Sequence, residues 1–317
     1  GHLLGTLTDG DVRRCLLAGG SLQTPVADAM NPTPLKAEVD SSEGYLLDLM
    51  RRGNVMAVPL VDQSGRFVRL AHLLDMAPDE PVGDGSSFSF AVIMAGGEGT
   101  RLRPLTERIP KPMVDIGGVP LLERQIQRLA KAGLRRVYIS VNYLSQVIEE
   151  HFNSGDEFGL EIRYLREREK LGTAGALSLL PERPSGPVLV MNGDILTTSD
   201  FGSLYAFHVG HSADVTVAAV DYHVDIPYGV IRAEGPFVTG LAEKPSQRFL
   251  CNAGIYVASP DALDLLPATG QCNMTDLIEY CLAAQRNVTV FPVHEYWSDI
   301  GTPADLEKAR ALFSKTA

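Results

Sequence analysis

The chain has 317 residues, 45% of them apolar, and a formal net charge of −11. That length suits two domains, one large enough for a substantial core, and the acidic balance argues against a nucleic-acid surface, which needs clustered positive charge. No run approaches the ~20 apolar residues of a membrane helix, and the opening residues do not read as a signal peptide. Cys15, Cys251, Cys272 and Cys281 show no C-x-x-C spacing, so reduced thiols and a cytoplasmic protein are expected. The seven histidines lack H-x-x-H spacing, and a zinc site is not expected.

The chain opens "GHLLGTLTDGDVRR", without Met and already inside a strand-like run, as expected of a fragment or a trimmed chain; Gly1-His2 could equally be a tag remnant. Short apolar strands are expected at residues 3–8 and 55–62, with helices around Asp9 to Leu17 and Ser42 to Arg52. Residues 79–89, "DEPVGDGSSFS", are polar and rich in Gly, Ser and Asp, and read as a linker between a domain at 1–78 and one at 90–317. Beyond it, apolar strand candidates at Phe90–Met94, Arg136–Val141, Ile162–Leu165 and Val188–Met191 alternate with helical patterns at Pro120–Ala132, Ser145–Phe152 and Ala174–Leu180. Such alternation predicts an α/β, Rossmann-like fold: a mostly parallel sheet with helices on both faces. The later strands, Asp214–Val220, Gly229–Glu234 and Ala253–Ser259, are less regularly spaced by helices, so a mixed sheet is expected there.

Ligands of such sheets bind beyond the carboxyl ends of the strands. "AGGEGTRLRPLTERIPKPM", residues 95–113, follows the first of these strands directly. Glycines let backbone N–H groups approach phosphate oxygens, and arginine adds bidentate contacts to the same oxygens. The loop therefore suits a polyphosphate. It is not a Walker A loop, because Gly99-Thr100-Arg101 lacks the lysine, and not a dinucleotide loop, because Leu102 stands where the last glycine belongs. A plain tight turn would account for one glycine but not for three beside Arg101, Arg103, Arg108 and Lys111.

"AGGEGTRLRPLT" followed by "PKPM" resembles the signature of the sugar-1-phosphate nucleotidyltransferases, the NDP-sugar pyrophosphorylases. The resemblance continues in order through "LGTAGAL" at 171–177, "NGD" at 192–194, "YGVI" at 228–231, "EKP" at 243–245, "NAGIY" at 252–256 and "WSDIGTP" at 297–303, and covers about residues 90–317. It implies attack by a sugar-1-phosphate oxygen on the α-phosphorus of an NTP, with release of pyrophosphate. Catalysis of that kind rests on positioning and charge neutralisation.

By the same resemblance, Arg101 contacts the triphosphate and Lys111, stiffened by Pro110 and Pro112, faces the phosphates at the reaction centre. The backbone of Ala95, Gly96, Gly97, Gly99 and Thr100 holds the nucleotide, and Gly172, Thr173 and Gly175 read the base. Taken alone, that last trio could be a simple N-cap for the helix at Ala174–Leu180. Asp194 and Asp299 match the family's Mg²⁺ pair, a suitable hard-cation site once phosphate oxygens and waters join it. Alone, Asp299 would read as a turn or capping residue. Glu243 and Lys244 resemble the sugar-phosphate contacts, and Tyr228, Gly229 and Asn252 the rest of the sugar wall.

Residues 1–78 resemble a small α+β CBS pair truncated at its start, with "LLGTLTDGDVRR" as its strand–turn–helix signature and "PVADAMNPTPL" as the inter-repeat passage. Thr8 and Asp11 resemble residues that hold a regulatory adenine nucleotide, but T-x-x-D spacing also caps helices, and many such modules only dimerise. A homodimer is therefore one expected role. The second half, "GRFVRLAHLLDM", has no matching T-x-x-D, so at most one ligand site is expected.

The "AGG" start and "LGTAGA" resemble guanylyltransferases that handle mannose-, heptose- or amino-sugar phosphates, which favours GTP; uridylyl or thymidylyl transfer stays open. Cytidylyl transfer to a non-sugar phosphate is the alternative within enzymes, and a non-catalytic nucleotide sensor the alternative outside them. No hexapeptide repeat follows, so no fused acyltransferase β-helix is expected.

Overall fold

The computed structural model describes residues 1–8, 11, 15, 21, 23–53, 55, 57–72 and 88–313, and the chain divides into two units, Gly1–Ala77 and Pro78–Ala317. In the first unit a three-stranded sheet is ordered β1 (Ala37–Glu38), β2 (Ala57–Val61), β3 (Phe67–His72), with helix α1 (Glu43–Gly53) between β1 and β2 in the chain. β1 and β2 run parallel, and β2 and β3 antiparallel. Leu46, Met50, Val58, Leu60 and Ala71 form its core.

The strand expected at 3–8 does not form. Residues 2 and 6 make single bridges to two different partners, Arg66 and Asn31. Leu4 is exposed, so the apolar alternation buries no face and no continuous ladder develops. Of the helix expected around Asp9 to Leu17, Asp11 and Cys15 are helical and the other positions lie outside the described residues, as do 79–87 of the linker. Phe88 and Ser89 are not linker. Phe88 is buried edge-on against Tyr205, and the Ser89 amide donates to the Pro187 carbonyl at 2.9 Å.

The second unit is built on β4 (Phe90–Met94), the small β5–β6 pair (Asp115–Ile116, Val119–Pro120), α2 (Leu121–Lys131), β7 (Arg136–Val141), α3 (Ser145–Phe152), β8 (Glu161–Arg166), β9 (Val188–Asn192) and β10 (Ile195–Thr197). It continues with α4 (Phe201–Gly210), β11 (Val215–Asp225), the hairpin β12–β13 (Val230–Glu234, Phe237–Ala242), β14 (Ser246–Ala258), α5 (Met274–Ala283), β15 (Val288–Val293), β16 (Trp297–Asp299) and α6 (Pro303–Phe313). The seven-stranded sheet is ordered β8-β7-β4-β9-β14-β11-β15, and β14 alone runs against its neighbours. A mixed, mostly parallel sheet is thus what forms.

β4 and β9 are buried along nearly their whole length, which explains their continuous apolar sequences. α2 turns Leu121, Leu122, Ile126 and Leu129 into the core, where each large side chain contributes roughly 1.5–3 kcal/mol by burial. The helix expected over Ala174–Leu180 is instead a helical turn at Gly172–Gly175 followed by a 3₁₀ stretch at Ala176–Leu179. Thr173 does not cap it: the Thr173 hydroxyl accepts from the Met274 amide at 3.0 Å, at the start of α5. Among the described residues no helix is long and apolar enough to cross a membrane.

Candidate functional site

The glycine-rich loop leaves β4 and crosses the carboxyl edge of the sheet. Gly99 has φ 61°, and a Cβ there would lie 2.7 Å from the Lys111 Cβ. Both the left-handed turn and the close approach of the P-K-P segment therefore demand glycine. The Thr106 hydroxyl donates to the Gly99 carbonyl at 2.8 Å and closes the loop on itself. Pro110 leads into a 3₁₀ turn at Lys111–Met113, which buries the Lys111 stem.

Four charged groups predicted from sequence meet here. The Lys111 Nζ donates to Asp194 Oδ2 at 2.6 Å and lies 3.7 Å from Asp299 Oδ1. Arg101 packs over Gly301, whose missing side chain leaves room for the guanidinium. The carboxylates come from neighbouring backbones. Asp194 sits in the turn between β9 and β10, the Ile300 amide donates to its carbonyl at 3.0 Å, and Ile195 pairs with Asp299 in the β10–β16 ribbon. Asp299 is therefore a strand residue, not a turn or cap. Burial, and next the Asp194 carboxylate, push its pKa upward, against the pull of Lys111 and Arg101. Its Oδ1 is buried and accepts no hydrogen bond among the described residues. A carboxylate oxygen that accepts no hydrogen bond, beside a second carboxylate, fits a hard divalent cation, with phosphate oxygens to complete the shell.

A cleft of about 320 Å³ opens between this cluster and the Gly172 turn. Ala95–Glu98, Gly172–Thr173, Lys111 and Asp194 line it. Gly172 has φ 80° and lies against Cys272 and Asn273, while the Ala174 and Gly175 amides both donate to the Cys272 carbonyl at 2.9 Å. The predicted base-reading turn is thus pinned to the segment before α5, with Gly175 buried behind the wall. Thr100 and Arg101 form a 3₁₀ turn beyond the cleft-lining stretch.

The predicted sugar wall is assembled in two places. Gly229 lies beside Glu243, a Cβ on it falling 3.0 Å from Glu243 Oε2, with Tyr228 exposed nearby in sequence and Lys244 held at φ 44°. That left-handed conformation is uncommon for a lysine, and strained backbone of this kind clusters at ligand-binding positions. Asn252 sits elsewhere, on β14. It donates to the Tyr256 hydroxyl at 2.8 Å and accepts from the Gly254 amide at 2.9 Å, and Gly254 in turn packs on Asn192 at the cleft.

Sequence reasoning missed Glu98, Glu167 and Lys170, which also line the cleft. Lys170 lies 2.7 Å from Glu98 and, by that hydrogen bond, holds the Glu98 carboxyl below its ordinary pKa. Glu167 accepts from the Ser140 hydroxyl and from the Leu171 amide, and one of its oxygens takes the space beside Gly96. Its position immediately after β8, at the carboxyl edge, was the available signal.

The profile of the Nucleotidyl transferase family matches residues 90–316. The chain belongs to that family. Within it, the chain is 34% identical over 232 residues to a mannose-1-phosphate guanyltransferase of Kluyveromyces lactis, covering 70% of this chain and 64% of that protein. It is 31% identical over 229 residues to a mannose-1-phosphate guanylyltransferase of Mycobacterium tuberculosis, covering 70% and 63% respectively. The chain thus spans slightly under two thirds of the length of these curated relatives. Among solved structures it superposes on HddC from Yersinia pseudotuberculosis complexed with GMP-PN, with a TM-score of 0.54, 28% identity, and coverage of 70% of this chain and 98% of that one. The superposition thus spans nearly the whole of the HddC chain.

Proposed function

We propose that this chain transfers a guanylyl group from GTP to a sugar-1-phosphate, of the mannose, heptose or amino-sugar kind, and releases pyrophosphate. The observation that carries the reading is the convergence of Arg101, Lys111, Asp194 and Asp299 beside a glycine-rich cleft. The guanylyltransferase names of the relatives and the GMP-PN complex of HddC support the choice of base.

In this reaction a phosphate oxygen of the sugar bonds to the α-phosphorus while the bond to the bridging oxygen breaks, and the electron pair departs with pyrophosphate. Lys111 is buried on the cleft side and can neutralise charge on both reacting phosphates; Arg101 can hold the triphosphate and steady the leaving group. The backbone of Ala95 to Glu98, which lines the cleft, orients the nucleotide with Gly99 and Thr100 shaping the loop behind it, and Gly172 and Thr173 meet its base with Gly175 packed behind them. Glu243 and Lys244, with Tyr228, Gly229 and Asn252, orient the sugar phosphate. Asp194 and Asp299 would hold Mg²⁺, which supplies further charge neutralisation on the phosphates.

For residues 1–78 the reading is a CBS-type module. The parallel β1–β2 pair joined through α1 supports it, as does the Thr8–Asp11 arrangement, in which the Thr8 hydroxyl donates to Asp11 Oδ2 at 2.6 Å. This is a capping geometry, compatible with adenine-nucleotide binding or with a purely dimerising role. A cytoplasmic location is part of the same reading, supported by four free cysteines. Pyrophosphate release measured over a panel of NTPs and sugar-1-phosphates tests the whole: fastest turnover with GTP and one of the named sugar phosphates is expected, and turnover with no pair would overturn it.

A further inference from the structure

α2 presents a buried face of Leu121, Leu122, Gln125, Ile126 and Leu129, in which Gln125 is the single polar residue. Its amide is not idle. The Nε2 donates to the Asn192 carbonyl at 3.0 Å and to the Ile195 carbonyl at 2.6 Å. Those carbonyls are the last of β9 and the first of β10, so one side chain grips both ends of the turn that carries Asp194. Besides the Lys111 Nζ, which donates to the Asp194 carboxylate itself at 2.6 Å, the turn has two backbone anchors: the Gly193 amide donates to the Met94 carbonyl at 2.9 Å, and the Asp194 carbonyl accepts from Ile300. Gly193 permits the first, since a Cβ there would fall 2.8 Å from the Met94 carbonyl oxygen.

A buried amide among leucines is unfavourable unless its hydrogen bonds are made. Here both amide protons are used while Oε1 is left buried without a partner among the described residues. An apolar residue of similar length would fill the same space without that orphan. The retained polarity faces only the Asp194 turn.

We infer that Gln125 is a positioning residue that sets the direction of the Asp194 carboxylate toward Asp299 and thereby fixes the site's affinity for a divalent cation. The inference rests on the proposed role of the two aspartates. Without the clamp, the turn keeps its backbone anchors but gains freedom at both ends, and the two carboxylates are no longer held for a shared ion.

The test is Mn²⁺ binding to the full chain, followed by the paramagnetic signal of the free ion, with steady-state kinetics alongside. Gln125→Met should keep the thermal midpoint near that of the wild type but weaken Mn²⁺ binding about tenfold or more. It should lower kcat at saturating substrates while the KM values change less than about twofold. Gln125→Glu, which keeps the shape but turns a carboxylate on two carbonyls, should lose at least as much. Leu129→Ala, one helical turn further along the same buried face and with no side-chain hydrogen bond to the turn, should lower the thermal midpoint and leave Mn²⁺ affinity unchanged. Wild-type Mn²⁺ affinity in both Gln125 variants, or an equal loss in Leu129→Ala, would overturn the inference. So would wild-type Mn²⁺ binding that Asp194→Asn does not alter. Mn²⁺ binding that depends on Asp194 and Gln125 in a protein that turns over no nucleotide would instead sink the proposed reaction and leave the positioning role standing.

Discussion

Gly301 and Arg101 fit against each other: a Cβ at residue 301 would lie 3.2 Å from Arg101 Nη1 and 3.4 Å from its Cζ. The guanidinium that the glycine-rich loop supplies is thus seated on a residue roughly two hundred positions later, two residues beyond Asp299. Gly301→Ala should displace Arg101 by a few tenths of an ångström or more, and kcat/KM for the nucleotide should fall about tenfold, since small misplacements at a reacting centre are costly. Circular dichroism and thermal midpoint should change little, because position 301 does not require a positive φ. A variant with unaltered kcat/KM would show that Arg101 needs no such seat.

On the proposed reading, in which the pair would hold Mg²⁺, Asp194→Asn and Asp299→Asn should each lower turnover by at least ~100-fold with the fold intact. Lys111 then keeps only one of its two aspartate partners. Near-normal kcat with Mg²⁺ in either variant would show that the pair does not hold the ion.

Lys244→Ala should raise KM for the sugar phosphate far more than KM for the nucleotide, by the few kcal/mol that one charged phosphate contact contributes in a partly dry site. It also removes a left-handed lysine, so stability should be measured beside kinetics. Equal changes in both KM values would detach the E-K-P segment from the sugar side.

Stability should depend on His208. The ring is 2% exposed, its Nδ1 lies 2.9 Å from the Thr216 hydroxyl, and burial pushes its pKa down to about 4 from 6.5, against the opposing charge of Asp214. The unfolded chain therefore binds a proton between about pH 6.5 and 4 that the folded chain refuses. The folded state should be fully favoured in this respect above about pH 6.5 and lose on the order of 2 kcal/mol as pH falls toward 4. Denaturant midpoints at pH 7 and pH 4.5 should diverge more for the wild type than for His208→Gln; identical divergence would rule out this histidine as the source.

The strongly patterned parts of this fold were legible. Phe90–Met94, Arg136–Val141 and Ser145–Phe152 form over the residues that their apolar spacing indicated. The three-residue strands β10 and β16 were not, because a ribbon that short carries no period and is held by its partner, not by its own sequence. Asp299 consequently looked like a turn residue. Thr173 looked like the cap of its own helix, and its real partner, Met274, lies about a hundred residues away, a distance over which local spacing says nothing. Gln125 was hidden for the opposite reason. It sits in a helical pattern so regular that one polar residue on the apolar face drew no notice.

The β10–β16 ribbon also has a temporal meaning. A chain emerging from the ribosome has its glycine loop, Lys111 and Asp194 in place long before Asp299 and the seat for Arg101 are synthesised, and long-range pairings close late. Until β16 is added, the nascent chain has the glycine loop and Asp194 but not the strand that carries Asp299. The two carboxylates can therefore face each other only once the β10–β16 ribbon has closed, and a nascent chain that has made Asp194 but not Asp299 lacks that arrangement.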